Sequence, residues 1–231
     1  MVNLPPSPTG EYRCLTNLNL YDSPLLQSLA TQAATDRPLR ITSLAPNQSA
    51  IAVCLCEDDY PGWLDRADLS QLAPAAKPYQ PQVVSEAEIR DRLPQVIAFT
   101  QAALAQPNHY LWGGTVAPNY DCSGLMQAAF ASVGVVIPRD AYQQEAFAQL
   151  IALDTLQPGD LVFFGPPTKA THVGLYVGDG CYIHSSGNDQ GHNGIHVDRL
   201  AADGEPISQV YFSQLRGAGR IIASYCPRSR S

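Results

Sequence analysis

The sequence predicts an α+β chain in which a small all-β domain precedes a larger domain of helices followed by a largely antiparallel sheet. Three observations predict it. Four or five short apolar segments, broken by turn residues, crowd into about the first seventy residues. Pro74 to Val84 then carries three prolines and few branched residues before Val83, the composition of a linker. Beyond it, helical periodicity gives way to β-type runs separated by glycines, the order of an α+β arrangement. The boundary falls near residue 80, dividing the chain into 1–80 and 81–231.

In the first part, Glu11 to Thr16 and Leu18 to Tyr21 read as extended segments, with Asp22-Ser23-Pro24 as a turn. Leu25 to Arg37 fits a short helix or a long loop. Leu39 to Leu44 alternates, placing 39, 41 and 44 near a core, and Pro46 to Ser49 makes the next turn. Ala50 to Cys56 is a strand, and Glu57 to Gly62 turns the chain into Trp63 to Leu69.

In the second part, Ser85 with Glu88 forms a helix-start pair ahead of Ile89, Leu93, Val96, Ile97, Thr100 and Leu104 at helical spacing, with Pro94 as a kink or break. An aromatic and glycine-rich loop, 108–114, leads to a helix from Ser123 to about Gly134. Ala141 to Leu150 reads as another helix. Leu161-Val162-Phe163-Phe164 is a continuously apolar strand, and 172–177, 181–184 and 194–197 are further strands. Val210 to Phe212 and Gly219 to Tyr225 are read with the same sheet.

The chain of 231 residues, 45% of them apolar, can bury the core of one large or two modest domains. With 14 Lys and Arg against 21 Asp and Glu, its formal charge is -7, and no basic block exists to neutralise a phosphate backbone, so no nucleic-acid partner is expected. Met1 to Gly10 lacks a basic region followed by an apolar one, and no run reaches the roughly 18 apolar residues of a membrane span. A cytoplasmic protein with no membrane partner is expected. Six cysteines, at 14, 54, 56, 122, 181 and 226, form no disulfide framework, which suits a reducing compartment, and Cys54 and Cys56 share a strand face as packing residues.

Asp121-Cys122-Ser123-Gly124 places a thiol where a loop becomes a helix. The unpaired N–H groups and dipole of a helix start favour thiolate, although a buried apolar cysteine is the commoner fate of a free thiol. Cysteine catalysis also needs an imidazole and a group that fixes its tautomer. His172 opens one strand and His184 ends the next after Gly178-Asp179-Gly180, so antiparallel pairing can bring both rings to one end of the sheet. His109, His192 and His196 lack such a setting, although the even spacing of His192 and His196 would put them on one strand face, which leaves a zinc site with Cys181 or His184 as a minor alternative. No Gly-rich phosphate loop occurs, and no metal or cofactor is expected. Asp121 suits an N-cap.

Several motifs, in their order, resemble the NlpC/P60 cysteine peptidases: Tyr110-Leu111-Trp112-Gly113-Gly114, Asp121 to Leu125, Leu156 to Phe164, His172 to Tyr176 and Tyr182 to Gly187. Leu18 to Pro24 and Gly62-Trp63-Leu64 with Leu69 likewise resemble the opening and closing segments of a bacterial SH3-like barrel. The first resemblance spans roughly residues 85 to 225. It implies a papain-like fold, with Cys122 as nucleophile, His172 as general base and then acid, His184 as its orienting partner and Tyr110 beside the oxyanion. It further implies that Asp121 binds a substrate ammonium and that Tyr60, in the closing loop of the SH3-like module, narrows the groove. Trp112 is read as packing, and Tyr60 as a loop tyrosine is the plainer alternative. Arg139 and Gln144 resemble the family's groove-lining Arg-x-Ser-x-x-Gln, with Ala141 in place of the serine, and Ser123 joins this substrate-binding set. For Arg139 a surface salt bridge with Glu145 or Asp140 is the alternative.

The resemblance implies an endopeptidase that cleaves the γ-D-glutamyl to meso-diaminopimelate bond of murein tri- or tetrapeptides with a free N-terminal L-alanine, in wall-peptide recycling and as a monomer. The alternatives are an exported hydrolase of intact peptidoglycan and a non-catalytic wall-binding module.

Overall fold

The structure, a computed structural model, describes residues 6–43 and 49–227. Leu44 and most of the turn expected at 46–49 lie outside these. The chain divides into two compact units: Met1–Pro81 with Trp112–Val116 and Tyr225–Ser231, and Gln82–Leu111 with Ala117–Ser224.

The first unit holds β1 (Glu11–Cys14), β2 (Leu18–Tyr21), β3 (Leu29–Ala33), β4 (Pro38–Ser43), β5 (Ala50–Leu55), β6 (Pro61–Asp65), β7 (Leu72–Pro74) and the two-residue β8 (Thr115–Val116). The first seven form one sheet in the order β3-β2-β6-β5-β4-β1-β7. Alternate residues, among them Leu18 and Leu20, Ile51, Val53 and Leu55, point into one apolar core, as the two-residue side-chain period of a strand requires. The segment left as helix or loop at 25–37 contains β3, because Thr31 and Ala33 turn inward where that strand pairs antiparallel with β2. Trp63 to Leu69 divides into β6 and a 3-10 helix, Arg66–Gln71, whose Asp65 cap accepts from the Ala67 N–H at 2.9 Å.

The acidic turn after β5 is held by arginines. Arg37 donates to Glu57 at 2.6 Å and to Asp58 at 2.9 Å, and Arg40 donates to Asp59 at 2.8 Å. Tyr60 follows, its N–H on Asp58 Oδ1 at 3.1 Å and its ring packed, partly buried, against the first core, so it is not a solvent-exposed loop tyrosine. Trp112 is 69% exposed, so the packing expected of it is not found.

The second unit begins with α1 (Glu86–Leu104), opened by a complete Ser85–Glu88 capping box; Pro94 lies inside it without dividing it. There follow β9 (Asn119–Tyr120), α2 (Cys122–Ala131), α3 (Ala141–Phe147), β10 (Gln149–Ile151), β11 (Leu161–Phe164), β12 (His172–Gly178), β13 (Cys181–Ser186), β14 (Gly194–Arg199), α4 (Pro206–Ser213) and β15 (Leu215–Arg220). The sheet, entirely antiparallel, runs β10-β15-β11-β12-β13-β14. Three expected elements change. Of Gly219 to Tyr225, read with the sheet, only Gly219 and Arg220 lie in a strand, β15. The helix expected to reach Leu150 stops at Phe147, where residues 149–151 instead pair with β15. Val210 to Phe212 lies in α4, whose start is set by Pro206 in its first turn.

The sheet buries both faces, which is why Leu161 to Phe164 is apolar throughout. Leu161, Phe163, Val173, Leu175 and Ile183 pack with α2 residues Leu125, Met126, Ala129 and Phe130. Val162, Phe164 and Tyr182 pack on the other side with Tyr211 of α4. All six cysteines are free thiols, three of the first unit's buried in its interior. No helix among the described residues is long and apolar enough to cross a membrane.

Candidate active site

Asp121 caps α2: its Oδ1 accepts from the Gly124 N–H at 2.7 Å, so Cys122 becomes the first helical residue with its thiol at the positive end of the dipole. The N–H of Val173 and that of Cys122's own neighbour Ser123 point at the sulfur and favour thiolate. Burial is the larger influence, and with the charge of Asp121 it pushes the thiol up to about 12, against the pull of Arg139. The resting sulfur is therefore protonated and needs a base.

The candidate for that base, His172, is placed by strand geometry. Asp179 and Gly180 both have positive φ, 53° and 70°, which makes the tight turn that folds β12 back on β13. Tyr182 and His184 share a face of β13, and across the β13–β14 ladder Asp198 stands opposite Tyr182 and His196 opposite His184. His172 at the head of β12 reaches this group: its Nε2 lies 2.7 Å from His184 Nδ1, and His184 Nε2 lies 3.0 Å from Asp198 Oδ2. His192 Nε2 also lies 3.0 Å from Asp198 Oδ2.

One assignment of protons satisfies the chain. The carboxylate only accepts, so His184 carries its proton on Nε2; its Nδ1 then accepts from His172 Nε2–H, and His172 Nδ1 is left as a bare acceptor. The electrostatics agree. Burial tends to raise Asp198, but the hydrogen bonds from His184 and His192 help to outweigh it and hold the carboxyl below its usual range. Burial lowers His184 despite Asp198, and burial with the neighbouring His184 holds His172 well below its ordinary value, so both rings rest neutral.

Tyr211 stacks on His172 with centroids 4.5 Å apart, and its hydroxyl lies 2.7 Å from Ser186 Oγ. Tyr110 is fixed through its backbone neighbours: the His109 N–H donates to Asn119 Oδ1 at 2.9 Å and the Leu111 N–H to Tyr120 O at 3.3 Å. Burial, then the charges of Cys122 and Asp121, raise its hydroxyl, so it keeps its proton and can donate.

Arg139 is buried, and its fork grips Asp121: Nη2 to Oδ2 at 2.6 Å and Nη1 to Oδ1 at 3.1 Å, with Nη1 also on Ser123 Oγ at 2.9 Å. Its burial sets aside the surface bridge read as the alternative for it, and Glu145 pairs with Arg216 at 2.7 Å. Gln144 Nε2 donates to Ser123 O at 3.0 Å and Pro138 O at 2.9 Å, while its buried Oε1 has no partner among the described residues. Cys122, Ser123, Asp121, Arg139 and Gln144 thus meet around the start of α2, and His172 and His184 meet on the sheet, the two groups joined where Val173 touches the thiol.

Residues 107–213 match the family model described as the NlpC/P60 family. Apart from Trp112–Val116 the match lies within the second unit, and it covers slightly less than half of the chain. Residues 20–69 of the first unit match the model described as the bacterial dipeptidyl-peptidase Sh3 domain. Among similar proteins, a probable endopeptidase of Mycobacterium tuberculosis is 42% identical over 90 residues, 38% of this chain and 23% of that protein. The probable endopeptidase p60 of Listeria monocytogenes is 38% identical over 101 residues, 44% of this chain and 20% of that protein. The bifunctional muramidase/DL-endopeptidase CwlT of Bacillus subtilis is 43% identical over 86 residues, 36% of this chain and 26% of that protein. The chain thus spans about a quarter or less of the length of these relatives. An NlpC/P60 family protein from Bacillus cereus has a similar fold, with a TM-score of 0.50 and 23% identity over 93% of this chain and 64% of that one.

Two residues of the cluster around His184 are not found by sequence reasoning. Asp198 and His192 reach the cluster through the β13–β14 register, which the irregular connection from Gly187 to Asn193 decides and local sequence does not signal. The only sequence signal is the even spacing of His196 and Asp198, which puts them on one strand face.

Proposed function

We propose that the protein is a cysteine endopeptidase that hydrolyses the γ-D-glutamyl to meso-diaminopimelate bond of murein tri- and tetrapeptides bearing a free N-terminal L-alanine. The observation that carries the thiol chemistry is the continuous chain from His172 Nε2 through His184 to Asp198, together with the backbone bond that Val173, the residue after His172, makes to the helix-start thiol of Cys122.

In this scheme His172 Nδ1 takes the Cys122 proton as sulfur attacks the scissile carbonyl. The imidazolium so formed keeps Nε2–H on His184 and is stabilised through it by Asp198. The Cys122 N–H and the Tyr110 hydroxyl donate to the oxyanion. His172 then gives its proton to the leaving amine, and water, deprotonated by the same nitrogen, releases the acyl group from sulfur.

The bond assignment is supported by two features. Asp121 places a buried carboxylate beside the thiol, suited to a substrate ammonium, and Arg139 and Ser123 fix its direction. The first unit's similarity to the Sh3 domain of dipeptidyl-peptidases fits an enzyme that releases a dipeptide from a free amino end. A role in recycling wall peptides inside the cytoplasm follows from that preference, and subcellular fractionation tests it.

The decisive experiment incubates L-Ala-γ-D-Glu-meso-diaminopimelate with the wild type and with Cys122→Ala, with products identified by mass. Dipeptide released by the wild type alone is expected; release by both proteins would exclude Cys122 as nucleophile. N-acetylation of the substrate should abolish cleavage, whereas equal turnover of the acetylated peptide or of intact sacculi would favour a wall hydrolase without amine recognition.

A further inference from the structure

His184 Nε2, His192 Nε2 and Asp198 Oδ2 converge in a way that the thiol mechanism does not require. Orienting His184 needs only one carboxylate oxygen and one ring, yet a second imidazole is aimed at the same oxygen at the same 3.0 Å. One potential ligand atom from each of the three residues lies within 4.8 Å of the others. Two imidazole nitrogens and a carboxylate oxygen form a borderline donor set suited to Zn2+ and its neighbours, and a tetrahedron with bonds of about 2.0 Å has edges of about 3.3 Å. The two 3.0 Å separations are close to such edges, and the third, between the ring nitrogens, is within 4.8 Å, so closing it on an ion asks for at most about 1.5 Å of approach. His192 is stacked on His196 with centroids 3.9 Å apart, which fixes its ring plane, and it is 14% exposed, which gives an ion and a water ligand a way in.

We propose that His184, His192 and Asp198 form a site for a divalent transition ion, Zn2+ being the natural occupant, and that occupation switches the thiol chemistry off. The binding stands on ligand geometry alone; the inhibition rests on the function proposed above. A metal on His184 Nε2 takes the lone pair that the Nε2 proton occupied, so that ring keeps its one proton on Nδ1. Nδ1 then donates to His172 Nε2 instead of accepting from it, and His172 carries its single proton on Nδ1. Both rings keep one proton, so none is gained or lost by the pair. His172 is left without a bare nitrogen toward the thiol, and its imidazolium has no acceptor for a second N–H. The ion is an inhibitor in this scheme and takes no part in peptide hydrolysis.

The test uses the full chain, freed of metal with a chelator and titrated with Co2+ and with Zn2+. One Co2+ per chain with tetrahedral d–d bands and no sulfur-to-metal charge-transfer band is expected for the wild type and for Cys122→Ala. His192→Gln should weaken binding by at least the ten- to hundredfold that even outer-shell partners carry. Its thermal transition without metal shows that it is folded, and Zn2+ should raise the midpoint of the wild type but not of this variant. No binding by the wild type, binding unchanged in His192→Gln, or binding lost in Cys122→Ala with a thiolate band in the wild type would each overturn the site. Rates with and without Zn2+ then test the switch: their ratio should fall at least tenfold in the wild type and stay near one in His192→Gln. If metal binds as expected and that ratio does not move, the inhibition fails while the site stands; if no peptide is cleaved at all, the proposed function fails and the binding result is unaffected.

Discussion

At the scale of single residues, Asp198 has the largest influence for its size, since one oxygen determines the proton positions on two rings in series. Asp198→Asn removes the negative charge whichever way its amide faces. It is expected to lower kcat by about 10²- to 10⁴-fold with KM little changed, as loss of an orienting carboxylate does elsewhere. Steady-state kinetics on the murein tripeptide measure this. Because burial and the neighbouring His184 hold His172 well below the ordinary 6.5, the acid limb of kcat/KM is expected below that value. Arg139 is a different case: its removal leaves the Asp121 carboxylate buried without its bidentate partner. Arg139→Leu should cost about 3–5 kcal/mol in chemical denaturation, as the breaking of a buried ion pair does. The sequence shows that Cys122, His172 and His184 are chemically able residues in suggestive places. It shows Arg139 only as a charge, because whether a charge is buried depends on what packs over it.

At the scale of elements, the relay is a product of strand register, and Gly174 preserves it. It lies on β12 between His172 and Tyr176, on the face that carries His172, and a Cβ there would come within 2.6 Å of a Tyr182 ring carbon and 3.3 Å of His184 Cβ. Gly174→Val is therefore expected to push both rings aside and to lower kcat at least a hundredfold, on the scale set by about 1 Å of misplacement, while far-ultraviolet circular dichroism stays close to wild type. Retained activity in this variant would show that the strand can shift without disturbing the histidines. Helices and hairpins announced by local chemistry were legible, among them α1 through its capping box and the β12–β13 turn through Gly178-Asp179-Gly180. The elements misjudged, β3, β10 and α4, depend on partners distant in sequence or on a start signal weaker than the apolar run beside it.

At the scale of the whole molecule, the same burials govern stability against pH. His172 and His184 are lowered in the folded chain, so the unfolded chain binds protons first as pH falls through about 6.5. Stability should drop on the acid side by up to about 1.4 kcal/mol per pH unit for each ring, and Asp198, also lowered, extends the loss further down. Above pH 9 the sign reverses. Cys14 and Cys122, both raised to about 12 chiefly by burial, ionise in the unfolded chain from their ordinary 9.0 but not in the folded one, so stability falls again as pH rises. Thermal midpoints across pH 5 to about 10 measure both arms, and a flat profile would contradict them. The placement of the free thiols has a practical outcome for covalent probes. Cys226 is exposed and Cys181 partly so, whereas Cys122 is buried and protonated at rest. A small general alkylating reagent should therefore mark Cys226 first and leave peptide turnover intact, so the extent of labelling is a poor gauge of inhibition. Under the proposed mechanism, a selective inhibitor needs an electrophile whose carrier brings it to Cys122 and lets the sulfur pass its proton to His172.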